Sequence, residues 1–424
     1  MGLTMEKIDI ISQNSNILKT FIDSLDQEIE TFRYFNKRGL DAIKNHVYTC
    51  LLLYDNEPIA YGHLDKELDN IWLGIVVKKE FQGKGISKKM MTLLLNKASA
   101  LNLKAIQLSV DIDNKKAIFL YKKYGFEIVS KTEKHFILKK DITKIGVSTL
   151  AFKGKLKEEI VEIAENNNWI IEFSSSFPYD KGMIDFFSTT KIKRLAHNYF
   201  PAPKIPFVLN LGSVNKQIRK QSIAHCIQGL HLSKQSGAEY FSAHAGFCID
   251  PDPEQLGEQL DVNIPISRNE NWKLFITSIK EILEEAKKVN VSFLIENNVT
   301  AKFNLRNDGQ EVLFCSRPEE MIKLVKEINS NKFGLLLDTA HLKVSSKALN
   351  FDLESAVKKI QSFVKYIHHS DNNSEKDTNE PIDTSYWFLP LLKKFKDCIH
   401  ILEVKNIDVN KIKNQLNLLN EHTK

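Results

Sequence analysis

Six apolar runs in the second part of the chain each end on an imidazole or a carboxylate. They are His197 in "RLAHN", His244 in "YFSAHAG", Glu296 in "FLIENN", Asp338 in "GLLLDTAHL", His368 or His369 in "YIHHSD" and Glu403 in "HILEV"; His341 follows Asp338 by three residues. A carboxylate or imidazole against apolar neighbours is costly unless it is paired or bound to a cation. Any one of these residues is accounted for as a satisfied core group. A set delivered by six strands to one rim reads instead as divalent-metal ligands and proton-transfer groups.

A second set stands earlier. In "VVKKEFQGKGISKKMM" (76–91) an apolar strand runs through a glycine loop directly into a helix, which aims backbone N–H groups and the positive end of a helix dipole at one spot. Gly83 and Gly85 let the backbone approach an anion closely, and Lys84, Lys88 and Lys89 add charge. In "YGHLDKE", alternation puts His63, Asp65 and Glu67 on one face, either as a source for a general base or as a solvent-facing polar edge. "FRYFNKRGLDAIKNH" groups Arg33, Lys37 and Arg38 with Tyr34 and Phe35, which reads either as a platform for a phosphorylated or nucleotide-sugar substrate or as a solvated helix face.

The elements that must position these groups change rhythm near residues 141–144. Before that point "VYTCLLLY", the turn "DNEP", "IAYGHLD" and "NIWLGIVV" predict an antiparallel meander, followed by a helix, the strand "AIQLSV", the helix "NKKAIFLYKKYG" and two closing strands. After it, eight short apolar runs ("IGVSTL", "WIIEFS", "KRLAHN", "EYFSAH", "SFLIEN", "FGLLLD", "KYIHHS", "HILEV") alternate with helical segments, which predicts a (β/α)8 barrel. A length of 424 residues fits two α/β domains, 1–142 and 143–424. The net charge of +6 divides into +4 for residues 1–142 (22 Lys and Arg against 18 Asp and Glu) and +2 for the rest (37 against 35). The barrel therefore lacks the bulk charge of a nucleic-acid binder, while the first domain suits an anionic cofactor. Five scattered cysteines without a CxxC pair argue against a disulfide framework, and no apolar run approaches the ~20 residues of a membrane span. A cytoplasmic protein is expected.

Residues 30–142 resemble the GNAT superfamily of acetyl-CoA-dependent N-acetyltransferases. The loop Gln82, Gly83, Lys84, Gly85, Ile86, Ser87 matches the family's R/Q-x-x-G-x-G/A pattern except at its last position, where a small serine stands. The resemblance implies that the backbone of Ile75, Val76 and Val77 contacts the pantetheine arm, that Asn114 touches the cofactor and that Tyr121 is the general acid for the departing thiolate. One of His63, Asp65 and Glu67 is then the expected base.

Residues 145–405 resemble the xylose-isomerase-like barrels, which include sugar isomerases, epimerases and endonuclease IV. The superfamily's H-x-x-D spacing, counted back from Asp371, selects His368 and leaves His369 on the opposite face. The resemblance implies a metal site of Glu296, Asp338, His368 and Glu403 for manganese, cobalt, magnesium or zinc, with Glu296 and Glu403 as the proton-transfer pair. His197, His244 and His341, with Arg33, Lys37 and Arg38 of the first domain, are the expected substrate-binding residues. A three-zinc phosphodiesterase is the rival on the same fold, but where it needs Asp-x-His this chain reads Asp377, Thr378, Asn379. A barrel that has lost catalysis and serves as a scaffold is the other alternative. The resulting expectation is a bifunctional enzyme, acetylating an amino sugar or nucleotide sugar and isomerising or epimerising a related sugar for a bacterial surface polysaccharide. No nucleic-acid or membrane partner is expected, and a homo-oligomer is compatible with the sequence.

Overall fold

The alternation in "VYTCLLLY" and "PIAYGHLD" becomes a strand pair joined at Asp55 and Asn56, both with positive φ, the conformation that two-residue hairpin turns require. The computed structural model describes residues 6–10, 15–26, 28, 32, 34–101, 103, 105–142, 144–152, 154–167 and 169–423. These fall into two units, 1–143 and 144–424.

With elements numbered in chain order, the first unit has strands β1 (Glu6–Asp9), β2 (His46–Tyr54), β3 (Glu57–Glu67), β4 (Asn70–Val77), β5 (Ala105–Asp111), β6 (Glu127–Lys131) and β7 (His135–Asp141). Its helices are α1 (Ser15–Asp23), α2 (Tyr34–Arg38), α3 (Ile86–Ala100) and α4 (Lys115–Lys123). The sheet order is β1-β2-β3-β4-β5-β7-β6. Period-2 alternation divides its side chains: Cys50, Leu52, Ala60 and Leu64 pack with Met90 and Leu94 of α3, and Leu51, Leu53, Tyr61 and Val76 pack with Leu18 and Phe21 of α1. β4 and β5 run parallel and pair at Trp72 and Gln107 alone, so the ladder is not continued alongside Ile75–Val77. β1 and α1 were not anticipated from the sequence. β1 has only four residues, mostly exposed, and owes its state to pairing with β2 across some forty residues.

The second unit follows the strand-helix rhythm throughout. Its strands are β8 (Lys144–Ser148), β9 (Ile170–Phe173), β10 (Arg194–Ala196), β11 (Tyr240–His244), β12 (Ser292–Glu296), β13 (Phe333–Asp338), β14 (Val364–His369) and β15 (Ile399–Leu402). Helices α5 (Lys157–Asn167), α6 (Met183–Thr189), α7 (Lys216–Ser236), α8 (Arg268–Val289), α9 (Pro318–Ile328), α10 (Thr339–Leu349), α11 (Leu353–Ile360) and α12 (Val409–Thr423) connect and cover them. The parallel order is β10-β9-β8-β15-β14-β13-β12-β11, and a parallel bridge between His197 and Ser242 joins the two ends. Ile170, Leu195, Leu294, Leu336, Tyr366 and Ile401 cluster inside the ring. Two residues further along their chain segments stand Glu172, His197, Glu296, Asp338, His368 and Glu403, so the strand period places these six one layer above the apolar floor. His369 and His400 face the other way and bond to each other at 2.9 Å. Among the described residues no helix is long and apolar enough to cross a membrane.

Candidate metal centre and acyl-transfer site

At the C-terminal rim of the barrel the side chains converge on Glu296. Its Oε2 lies 3.1 Å from Nε2 of His197 and 3.2 Å from Nε2 of His244. Its Oε1 lies 3.5 Å from Nδ1 of His368 and 3.6 Å from Nδ1 of His341. His368 Nδ1 is also 2.9 Å from Oε2 of Glu403 and 3.9 Å from Oδ2 of Asp338. Ligand atoms of Glu296, Asp338, His368 and Glu403 all lie within 4.8 Å of one another, as do those of His197, His244 and Glu296. Glu296, Asp338 and His368 are essentially inaccessible to solvent.

These residues fit a divalent cation. Both oxygens of Glu296, Oδ2 of Asp338 and Nδ1 of His368 are buried without a hydrogen-bond partner, although nitrogen and oxygen atoms stand at close range. Groups that approach without hydrogen-bond alignment aim their lone pairs at shared points between them, as ligands of one ion do. Each uncompensated buried ion costs several kcal/mol, and a cation offsets that cost. The electrostatics show the crowding: burial and the neighbouring Glu296, Asp377 and Glu403 push Asp338 up to about 7 against the opposing pull of His341. Despite burial, the carboxylates around His341 and His368 hold both imidazoles well above their usual range.

The structure adds surroundings to the residues singled out from the sequence. His197 and His244, expected to touch substrate, stand with Glu296 as a second ligand-type set, because their strands close the barrel against each other beside β12. His341 lies between Glu296 and Asp377, 3.3 Å from the latter's Oδ2. Asp371, whose spacing selected His368, bonds to Lys343 at 2.5 Å rather than joining the cluster. Glu172 was missed, although "WIIEFS" carries the same signal as the other runs, a carboxylate inside an apolar strand. Asp377 was read only as part of an incomplete third position.

In the first unit the loop Gln82–Ser87 has positive φ at Gly83 and Gly85, a conformation that side chains disfavour, and open space above both. Gln82 ties the loop to the end of β4 by donating to the Val77 carbonyl at 3.1 Å. Asn114 caps α4 by accepting from the Ala117 N–H at 3.1 Å, so its side-chain oxygen already has a structural partner. Tyr121 packs beside Phe126, and burial pushes its hydroxyl up to about 12.

His63, Asp65 and Glu67 share a face but differ in surroundings. The buried Asp65 accepts from Tyr34 at 2.6 Å and from Arg38 at 2.9 Å, and Arg38 also bridges to Glu67 at 3.0 Å. Arg38 thus bridges two carboxylates while its side chain stays partly exposed. Arg33 and the side chain of Lys37 lie outside the described residues. Tyr34 also meets His46 Nε2 at 2.8 Å, and His46 stacks on His63 at 4.6 Å. His63 is buried with Nδ1 unpartnered, as are Oδ1 of Asp65 and the Tyr61 hydroxyl. Burial and the neighbouring His46 and Arg38 hold His63 well below the usual imidazole range, so it is neutral at pH 7.

An eight-stranded parallel ring with ligand-type side chains at the C-terminal strand ends defines a TIM barrel built around a candidate metal centre. Residues 150–422 match the family described as Xylose isomerase-like TIM barrel, and the chain belongs to that family. Residues 16–126 match the family described as Acetyltransferase (GNAT) family. The chain is 24% identical over 275 residues to the "Uncharacterized protein MJ1311" of Methanocaldococcus jannaschii, covering 62% of this chain and 84% of that protein. It is 25% identical over 191 residues to the "Probable endonuclease 4" of Sulfurihydrogenibium sp., covering 42% of this chain and 60% of that one, less than two thirds of its length. Among solved structures, a D-tagatose 3-epimerase-like protein aligns with 66% of this chain and 100% of its own at 21% identity and a TM-score of 0.49.

Proposed function

We propose that the barrel is a metal-dependent isomerase or epimerase of a sugar or sugar phosphate, and that the N-terminal domain transfers acetyl from acetyl-CoA to the amine of an amino sugar or nucleotide sugar. The two are neighbouring steps in making a modified sugar for a bacterial surface polysaccharide. The observation that carries the barrel half is the four-ligand set of Glu296, Asp338, His368 and Glu403, in which two glutamates arrive from strands separated by β13 and β14. A divalent cation there supplies polarisation of a carbonyl and an adjacent hydroxyl. Glu296 and Glu403 take a proton from a sugar carbon and return it, to the neighbouring carbon in an isomerase or to the opposite face in an epimerase. His341, whose Nδ1 donates to the Asn297 carbonyl at 2.8 Å, presents Nε2, beside Asp377, to a substrate oxygen.

In the acetyltransferase, the backbone of Ile75–Val77 and the amides of Gly83–Ile86 hold the cofactor. His63 is the base, because Arg38 pairs with the charges of Asp65 and Glu67 and Tyr34 also bonds Asp65, while the neutral ring of His63 has Nδ1 without a partner. The amine nitrogen attacks the thioester carbonyl, its proton passes to His63, the C–S bond breaks, and the Tyr121 hydroxyl protonates the thiolate.

One observation favours a second reading of the barrel. The two oxygens of Glu296 face different sets, His197 and His244 on one side and His368 on the other, which is how a carboxylate bridges two cations in a phosphodiesterase. The deciding experiment incubates the metal-loaded protein with a sugar panel in D2O, and separately with bis(p-nitrophenyl) phosphate and abasic-site DNA. Deuterium at a sugar carbon supports the isomerase. Phosphoester cleavage with two or three zinc ions bound and no exchange replaces it.

A further inference from the structure

Glu172 stands in the same layer as the rim residues, wholly buried, and reaches across the interior from β9 to β14, three places along the sheet order. Its Oε2 accepts from Nε2 of His368 at 2.9 Å and from the hydroxyl of Tyr366. Tyr366 and His368 are two residues apart on β14, so both point inward and both meet the same carboxylate. A neutral imidazole carries one N–H. With that proton on Nε2, facing Glu172, the lone pair is on Nδ1, which stands 2.9 Å from Glu403, 3.5 Å from Glu296 and 3.9 Å from Asp338 with no hydrogen bond of its own. The opposite tautomer would turn the Nε2 lone pair against Glu172 and place an N–H at the point a cation would occupy, whereas the Nδ1 lone pair beside Glu403 would share that cation with it.

We propose that Glu172, itself held by Tyr366, is the positioning residue that fixes the tautomer and ring orientation of His368, so that Nδ1 is the atom offered to the cation. This rests on the reading of Glu296, Asp338, His368 and Glu403 as a metal site. Ligand atoms of Glu172, His197 and His368 also lie within 4.8 Å of one another. A cation there would need Nε2 of His368, which already meets Oε2 of Glu172, and that oxygen accepts from Tyr366 as well. Glu172 therefore acts through His368. Carboxylates behind metal-bound imidazoles raise ligand basicity and hold the ring, and losing one typically lowers metal affinity by about 10–100-fold.

The test uses the full-length protein. Cobalt affinity is measured by chelator competition and visible spectra in wild type, Glu172→Gln, Tyr366→Phe and His368→Ala. The His368 tautomer is read from long-range ¹H–¹⁵N spectra of the zinc-loaded, histidine-labelled protein. The expected result is an Nε2–H tautomer in wild type. Glu172→Gln keeps the wild-type stoichiometry but binds cobalt about 10–100-fold more weakly, and Tyr366→Phe shows a smaller loss in the same direction. Wild-type affinity and tautomer in both variants overturn the proposal. So does loss of one whole cobalt equivalent from Glu172→Gln with the remainder unchanged, since Glu172 would then be a ligand. If Glu172→Gln does not fold, Tyr366→Phe, which preserves the packing, decides alone. Wild-type protein that takes up neither cobalt nor zinc overturns the metal reading itself, an outcome distinct from the others.

Discussion

Gly74 of β4 is where the acetyltransferase reading is most exposed to refutation. A Cβ at this position would sit 2.3 Å from Cε1, 2.8 Å from Nε2 and 3.0 Å from Nδ1 of His63. Carbon atoms in contact stand about 3.5–4.0 Å apart, so Gly74→Ala must displace the imidazole by about 1 Å. The ring has little freedom to yield, with Tyr34 at 4.3 Å, His46 at 4.6 Å and Tyr61 at 5.4 Å between centroids. Overpacking of this kind costs about 1–3 kcal/mol of stability, which a domain can survive. The catalytic loss is larger: a misplacement of about 1 Å lowers turnover by about a hundredfold. The assay is CoA release with an amino-sugar panel, with acetyl-CoA affinity measured separately by calorimetry. Gly74→Ala and His63→Ala are expected to lower kcat to similar extents with acetyl-CoA affinity unchanged. The double variant is expected to be no worse than His63→Ala alone, since both substitutions remove one function. A Gly74→Ala enzyme with wild-type kcat, or a double variant whose losses simply add, would refute His63 as the base.

Tyr121→Phe is expected to lower acetyl transfer about 10²-fold or more at unchanged acetyl-CoA affinity, and unchanged turnover would remove its acid role. Burial, with Asp65 opposing and Arg38 assisting, pulls His46 down to about 4, below its unfolded value of 6.5. The unfolded state then binds more protons between those values, so the stability His46 contributes is complete above pH 6.5 and is lost as pH falls toward 4. Thermal melts of His46→Gln should be flatter than wild type over that window, and parallel curves would contradict the assignment. His368→Ala and Glu296→Gln should each lower the divalent metal bound per chain, measured by elemental mass spectrometry on protein purified without chelator. Labelled acetyl-CoA should mark amino sugars, and labelling of peptides or polyamines alone would sink the proposed acceptor.

Much of the architecture was legible because its causes are local. Eight apolar runs of strand length marked the eight barrel strands, and the loop glycines at 83 and 85 announced the positive φ that they adopt. In six of the eight barrel runs the closing residue could be singled out because a carboxylate or imidazole inside an apolar strand is costly wherever the chain goes, though the same rule was not applied to Glu172. The choice of His368 over His369 came from the H-x-x-D resemblance; in the structure His368 faces inward to Glu172 and His369 outward to His400.

Which atoms meet was decided by tertiary structure. Glu172 and His368 are separated by 196 residues and touch because the sheet order brings β9 and β14 around one interior. The division of Glu296 between two imidazole sets depends on the joining of β10 to β11 through His197 and Ser242. The binding of Arg38 to Asp65 and Glu67 depends on α2 lying over β3, and no spacing within "FNKR" could foretell it. Side-chain period and backbone conformation are properties of a few consecutive residues, so sequence determines them directly. Partnership between charges is set by distances across a closed sheet, and those exist only once the distant strands have met.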